Sequence, residues 1–408
     1  MDDKVPPALA PIDSGATGPR VAVADDDEDL LSYDPQWCLF WAASVPAFHL
    51  DIWLPYLRRS RYRFVLMAGE DRFSDAIRTR VAGIRNVRIL EPYEQARAWL
   101  HLCQRFQGVL YVVNRPENLR LANTFRDKAH VFLGHGESDK RTSGFRAASL
   151  YDSLFMARYA SVERFPPAIR RWVGANACAI GAPIPDGVTR DPWSAPRPIR
   201  TILYAPTWEG HSERGDYSSL PEVGPALVEA MPSLTARGTR VILRPHPMTG
   251  TRIARRKDIR DALFAAGAER GGEKAIDFAA ADVLVSDISG VTAEFLFTEK
   301  PALMPLTLQL GAVGKDATQL DAEHPWVDQW LVGQEDLVQR LDRLVASDTK
   351  RSARARAARS MFRGHRTLEE AVASFDLALE SVGRRGSRIP VRWVYEAKRR
   401  LSVLRERP

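Results

Sequence analysis

The sequence predicts an α/β protein made of two Rossmann-like domains that face each other across a cleft. Three observations predict it. Short β-branched or apolar runs alternate with amphipathic stretches along most of the chain. A proline-rich segment interrupts that alternation near the middle. Residues suited to holding phosphate fall just after the apolar runs, where open α/β sheets bind ligands. At 408 residues the chain is also too long for one ordinary core.

Residues 1–34 are rich in Pro, Gly and Asp and include the acidic run Asp25-Asp26-Asp27-Glu28-Asp29. They predict a poorly ordered N-terminal arm. The first domain, 35–185, carries strand candidates Cys38–Ala42, Arg63–Met67, Val87–Leu90, Val109–Val113, His130–Leu133 and Ala177–Ile180. Amphipathic stretches such as Tyr93–Phe106 and Asn118–Phe125 lie between them, as βαβ units and a parallel sheet require. Pro183–Pro198 holds five prolines and no periodicity, and reads as the linker. The pattern restarts in the second domain, 199–382. Strands are expected at Thr201–Tyr204, Arg240–Leu243, Val283–Ser286 and Ala302–Pro305, with helices near Pro225–Arg237, Arg252–Ala266 and Val291–Thr298. Helices rich in Ala, Arg, Leu and Glu continue to about Val382.

Composition bounds the function. Hydrophobic residues make up 45% and charged residues 27%, which is globular and excludes wholesale disorder. Cys38, Cys103 and Cys178 lie far apart without metal-like spacing and read as apolar side chains in a reducing compartment. No run reaches the roughly 18 apolar residues a membrane span needs, and the N-terminus has no apolar signal core. A cytoplasmic protein is expected. The net charge of +7 sits in residues 384–408, which hold nine Lys/Arg against two Asp/Glu. The remainder is neutral, which argues against nucleic acid as a partner.

Four strings carry the candidate chemistry. Gly134-His135-Gly136-Glu137-Ser138-Asp139-Lys140 follows an apolar run, with glycines that allow a ligand close to His135 and with Lys140 placed to neutralise phosphate. Tyr204-Ala205-Pro206-Thr207-Trp208-Glu209-Gly210 offers the Thr207 hydroxyl, while Trp208 reads better as core than as a stacking face. Arg244-Pro245-His246-Pro247 fixes His246 between prolines, as a phosphate donor, a proton shuttle or a structural turn. Ser286-Asp287-Ile288-Ser289-Gly290-Val291 joins a strand to a helix, where hydroxyls and amides make an anion site or a simple N-cap. Glu294 follows in that helix, facing either ribose hydroxyls or solvent. His49, His101, His130, His211, His324 and His365 have no comparable context and read as ordinary. In Ile389–Leu404, Val394, Ala397, Leu401 and Leu404 recur at helical spacing among Lys398, Arg399, Arg400 and Arg405. This basic amphipathic tail suits an anionic membrane surface, or packing on the protein itself.

Together the strings resemble the CDP-glycerol glycerophosphotransferase family, the teichoic-acid polymerase and primase type. The resemblance runs over roughly residues 130–305 and rests on His135-Gly136-Glu137 with Lys140, Tyr204–Glu209, Arg244–Pro247, and Asp287-Ile288-Ser289 through Glu294 with Lys300-Pro301. The family's usual residues are replaced at Glu137, Ile288, Gly290 and Glu294. The resemblance implies the glycosyltransferase B-type fold and transfer of glycerol phosphate, or a related polyol phosphate, from a CDP-linked donor to a hydroxyl of a glycan or lipid-linked acceptor, releasing CMP in cell-envelope synthesis. It implies His135 as general base and His246 and Ser289 as stabilisers of the pyrophosphate. Lys140, Thr207, Arg244, Ser286, Asp287, Gly290 and Glu294 would complete the donor site. No Asp-x-Asp metal motif is evident, so a reaction without metal or other cofactor is expected, at the inner face of the cell membrane. A nucleotide-sugar glycosyltransferase of the same fold and a non-catalytic membrane-associated relative are the alternatives.

Overall fold

A computed structural model describes residues 25–42, 45–68, 73–91, 95–137, 145–193, 195, 197–210, 212–213, 216–307 and 317–386. The first half runs α1 (Asp25–Ser32), β1 (Trp37–Trp41), a 3-10 turn (Ala47–Ile52), α2 (Leu54–Arg59), β2 (Phe64–Ala68), α3 (Asp75–Val81), β3 (Val87–Leu90) and α4 (Ala96–Leu102). It continues with β4 (Gly108–Tyr111), α5 (Pro116–Thr124), β5 (Ala129–Phe132), β6 (Ser153–Met156), α6 (Pro167–Asn176) and β7 (Ala177–Ala179). These strands form one parallel sheet in the order β3-β2-β1-β4-β5-β6-β7. Every residue of β1 and β2 is buried, because helices cover both faces of a parallel sheet and leave no solvated side.

The second half runs β8 (Thr201–Ala205), α7 (Leu220–Ala236), β9 (Arg240–Leu243), α8 (Arg255–Ala265), β10 (Glu269–Arg270), α9 (Lys274–Ala280), β11 (Val283–Ser286) and α10 (Gly290–Phe295). β12 (Ala302–Leu306), α11 (Ala317–Glu323), β13 (Asp328–Leu331), α12 (Leu337–Ala346), α13 (Arg351–Met361) and α14 (Leu368–Arg385) complete it. Its sheet, also parallel, has the order β10-β9-β8-β11-β12-β13. The proline-rich segment lies between β7 and β8. β10 and β13 escape the sequence pattern because they are edge strands, and Glu269, Arg270, Asp328 and Gln329 interrupt any apolar run. β6 escapes it as a short run opened by a serine. α7 begins at Leu220 rather than Pro225, with Pro221 in its first turn, where no N–H is needed. The three cysteines are unpaired, Cys38 buried and the other two half-buried.

Two expectations are corrected. Residues 25–32, assigned to a poorly ordered arm, form α1, with Leu30 buried and Asp29 paired to Arg88 at 3.1 Å. Residues 199–382 do not pack as one second unit, because α14 returns to the first sheet. Asp376 accepts the Ser60 hydroxyl at 2.5 Å and the Arg61 N–H at 3.0 Å, and Phe375 packs 5.7 Å from Trp53 and 5.8 Å from Tyr56. The apolar stripe of α14 (Leu368, Val372, Phe375, Leu379, Val382) needs a core, and the first half supplies it.

Candidate active site

In each sheet the strand order reverses beside its first strand: β1 lies between β2 and β4, and β8 between β9 and β11. Loops on either side of such a reversal part and open a crevice at the carboxyl ends of the strands. In the first sheet those loops carry Phe48 and His49 after β1, Arg115 after β4, and Gly134-His135-Gly136 after β5. In the second they carry Thr207-Trp208-Glu209 after β8, Arg244–Pro247 after β9, and Ser286–Gly290 at the end of β11.

The loop of His135 is held from beneath. Gly134 and Gly136 have φ of 71° and 106°, conformations that side chains resist. The Trp53 indole N–H donates to the Gly134 carbonyl at 2.7 Å, and a β-carbon at Gly136 would lie 3.4 Å from Ile52 Cδ1. His135 is left exposed, its ring meeting that of His49 at 4.6 Å and 66°. Glu137 turns away: it is buried, ion-paired with Arg164, and accepts the Ser161 hydroxyl at 3.2 Å. Lys140 lies outside the described residues.

The loop of His246 is built from both sides. The ring stacks on Trp208 at 5.8 Å and 15°, and Phe48 meets it edge-on at 5.6 Å. Its Nδ1 accepts the Met248 N–H at 3.1 Å, which puts the proton of the neutral ring on Nε2. Glu209, 1% exposed, accepts the N–H groups of Gly250, Arg252 and Ile253 at 3.2, 2.9 and 3.1 Å. Burial works to raise its pKa, but these N–H groups outweigh it and hold the carboxyl below its ordinary value. The Arg252 guanidinium answers with bonds to the carbonyls of Glu209 and Gly210.

At the end of β11 the side chains divide. Ser286 is buried and donates to the Ala205 carbonyl at 2.7 Å. Asp287, also buried, accepts the Thr207 N–H at 2.7 Å and the Ser219 N–H at 3.2 Å. Ser289 is half-exposed and caps α10 by accepting the Thr292 N–H at 3.4 Å. A β-carbon at Gly290 would lie 3.6 Å from the Glu137 carbonyl, so this turn meets the His135 loop directly.

The structure thus brings His135, His246, Ser289 and Gly290 to the crevice. It does not present Ser286 or Asp287 there, since both are spent on tying β8, β11 and α7 together. Thr207 is buried. Arg244 points its guanidinium at Asp277 and the Gly272 carbonyl, each at 2.7 Å. Glu294 is ion-paired to Lys274 at 2.7 Å rather than facing solvent. Lys300 is buried and donates to the carbonyls of Phe278, Ala279 and Ala281, closing the carboxyl end of α9.

Two residues read as ordinary or as core are part of the site. Trp208 is half-buried against His246, and His49 stands beside His135. Burial, then the neighbouring His135, His246 and Arg115, lower the His49 pKa to about 3, so its imidazole stays neutral. The sequence signal was weak, since Phe48-His49 falls seven and eight residues beyond the first strand, whereas His135, Thr207 and His246 follow theirs within three. Among the described residues no group of three or more His, Cys, Asp or Glu side chains is arranged to hold a metal ion.

Residues 190–365 match the model of the CDP-glycerol:poly(glycerophosphate) glycerophosphotransferase family. No curated protein sequence matches the chain. Among solved structures, one described as a UDP-N-acetylglucosamine 2-epimerase from Listeria monocytogenes superposes with a TM-score of 0.56 at 14% identity. It covers 87% of this chain and 98% of that one. The wall teichoic acid polymerase TagF superposes with a TM-score of 0.48 at 12% identity, over 88% and 93% of the two chains. The fold is the glycosyltransferase B type, two parallel α/β sheets facing each other.

Proposed function

From the match of residues 190–365 to the glycerophosphotransferases, we propose that the protein moves glycerol phosphate, or a related polyol phosphate, from a CDP-activated donor to a hydroxyl acceptor, releasing CMP, in teichoic-acid-type envelope synthesis. The observation that carries this reading is the meeting of His135 and His246, from different sheets, around Phe48 and His49. His135 is the exposed base that takes the proton of the acceptor hydroxyl. The acceptor oxygen then bonds to the phosphorus bearing the polyol, and the bond from that phosphorus to the bridging oxygen of the diphosphate breaks. CMP leaves with the electron pair. His246 Nε2–H donates to a phosphate oxygen as charge builds, and the Ser289–Gly290 turn lines the same wall.

The acceptor is a glycan or lipid-linked hydroxyl, presented at the inner membrane face and approached with the help of the basic tail. The tail beyond Gly386 lies outside the described residues.

The test incubates the protein with CDP-glycerol, CDP-ribitol or UDP-sugars, with and without EDTA, and follows CMP or UDP release. CMP release from a CDP-polyol, unaffected by EDTA, is expected. UDP release alone would replace this reading with a sugar transferase. His135→Ala is expected to lower turnover by at least about a hundredfold while leaving donor binding intact. Near-normal turnover in that variant would remove His135 as the base.

A further inference from the structure

Five rings form an unbroken row across the crevice. Trp208 stacks on His246 at 5.8 Å, His246 meets Phe48 at 5.6 Å, Phe48 meets His49 at 4.4 Å, and His49 meets His135 at 4.6 Å. Trp208 and His246 come from loops of the second sheet and His135 from a loop of the first, and Phe48 and His49 between them are consecutive residues of the 3-10 turn after β1. That turn is itself fixed to the His135 loop, through Ile52 beneath Gly136 and the Trp53 N–H on the Gly134 carbonyl. Phe48 and His49 are therefore rooted on the side of His135 and reach the histidine of the other side.

We infer that Phe48 and His49 are positioning residues that set the separation of His135 and His246 across the cleft. This deepens the reading proposed above and rests on it. In-line transfer requires the base and the phosphate donor at a fixed separation, and a displacement of about 1 Å costs on the order of a hundredfold in rate. The Gly290 turn touches the His135 loop at the Glu137 carbonyl, but the ring row is what reaches His246 itself. A neutral His49 suits a spacer, because it neither adds charge beside the diphosphate nor competes for the proton that His135 must take. Phe48 contributes an apolar edge that packs on His246 and leaves the Nδ1 bond to Met248 undisturbed.

The experiment compares the full-length protein with Phe48→Leu, His49→Gln and the double variant, measuring kcat with a CDP-polyol and CMP affinity by calorimetry. Each single variant is expected to lower kcat by about tenfold to a hundredfold with CMP Kd unchanged within about twofold. The double variant should be no worse than the poorer single one, since one spacer is lost only once. Unchanged kcat in both single variants, or additive losses that track a weaker CMP Kd, would overturn the inference.

Ring-proton NMR separates it from the reaction itself. Should no CDP-donor be turned over, His49→Gln is still expected to move the resonances of both His135 and His246. A shift confined to His135 would show that Phe48 transmits nothing, and would overturn it.

Discussion

A half-buried imidazole ringed by His135, His246 and Arg115, with a pKa near 3, makes the fold acid-sensitive in a defined window. In the unfolded chain His49 titrates near its ordinary value of about 6.5. Between the two values the unfolded state binds a proton that the folded state refuses. The contribution of His49 to stability is thus complete above about pH 6.5 and is lost as pH falls toward 3. With partial exposure taken into account, the slope is up to about 1 kcal/mol per pH unit. His130 and His365 are shifted in the same direction by burial, so the variant isolates the effect. Urea unfolding of His49→Gln is expected to show a flatter dependence on pH from 6.5 to 4.5 than the parent. Parallel curves would mean that His49 is protonated in the folded state.

Two loops that leave neighbouring strands are locked together through one carboxylate. Glu209, at the end of β8, receives three backbone N–H groups from the segment between β9 and α8, and so fixes the turn that carries His246. Glu209→Ala leaves buried amides without their acceptor, at a cost of about 2–4 kcal/mol after water repairs part of the loss. A lower urea midpoint and a reduced kcat are expected together, with Glu209→Gln recovering part of both. Full activity in Glu209→Ala would show that the His246 loop holds its shape without it.

The whole molecule is closed by α14, which leaves the second half and packs on Trp53 and Tyr56 directly behind the His135 loop. The same helix ends at Arg385, and Gly383 near its end lies against Gln107 and Trp37 of the first half. Removing residues 387–408 is expected to abolish binding to vesicles containing anionic lipid while leaving the urea midpoint unchanged. Vesicle binding that survives the truncation would assign membrane contact to another surface, and a lowered midpoint would make the tail part of the fold.

The sequence by itself determined the alternation of strands and helices, the break between two α/β halves, and the strings at the strand ends. Each depends on local pattern: apolar runs are long enough to mark central strands, and residues whose chemistry suits phosphate follow them directly. Only the tertiary structure decided which members of each string reach the crevice. Ser286 and Asp287 carry the right chemistry, yet they face inward and bind β8 and α7, because a strand end must satisfy its neighbours' backbone N–H and C=O groups before it can serve a ligand. His49 looked ordinary because it stands well beyond the end of its strand, in no glycine- or proline-framed string. Its partners His135, His246 and Arg115 lie far along the chain and arrive only when two strand reversals face each other. The return of α14 was hidden for the same reason, since an apolar stripe shows that a helix is buried and not which core buries it.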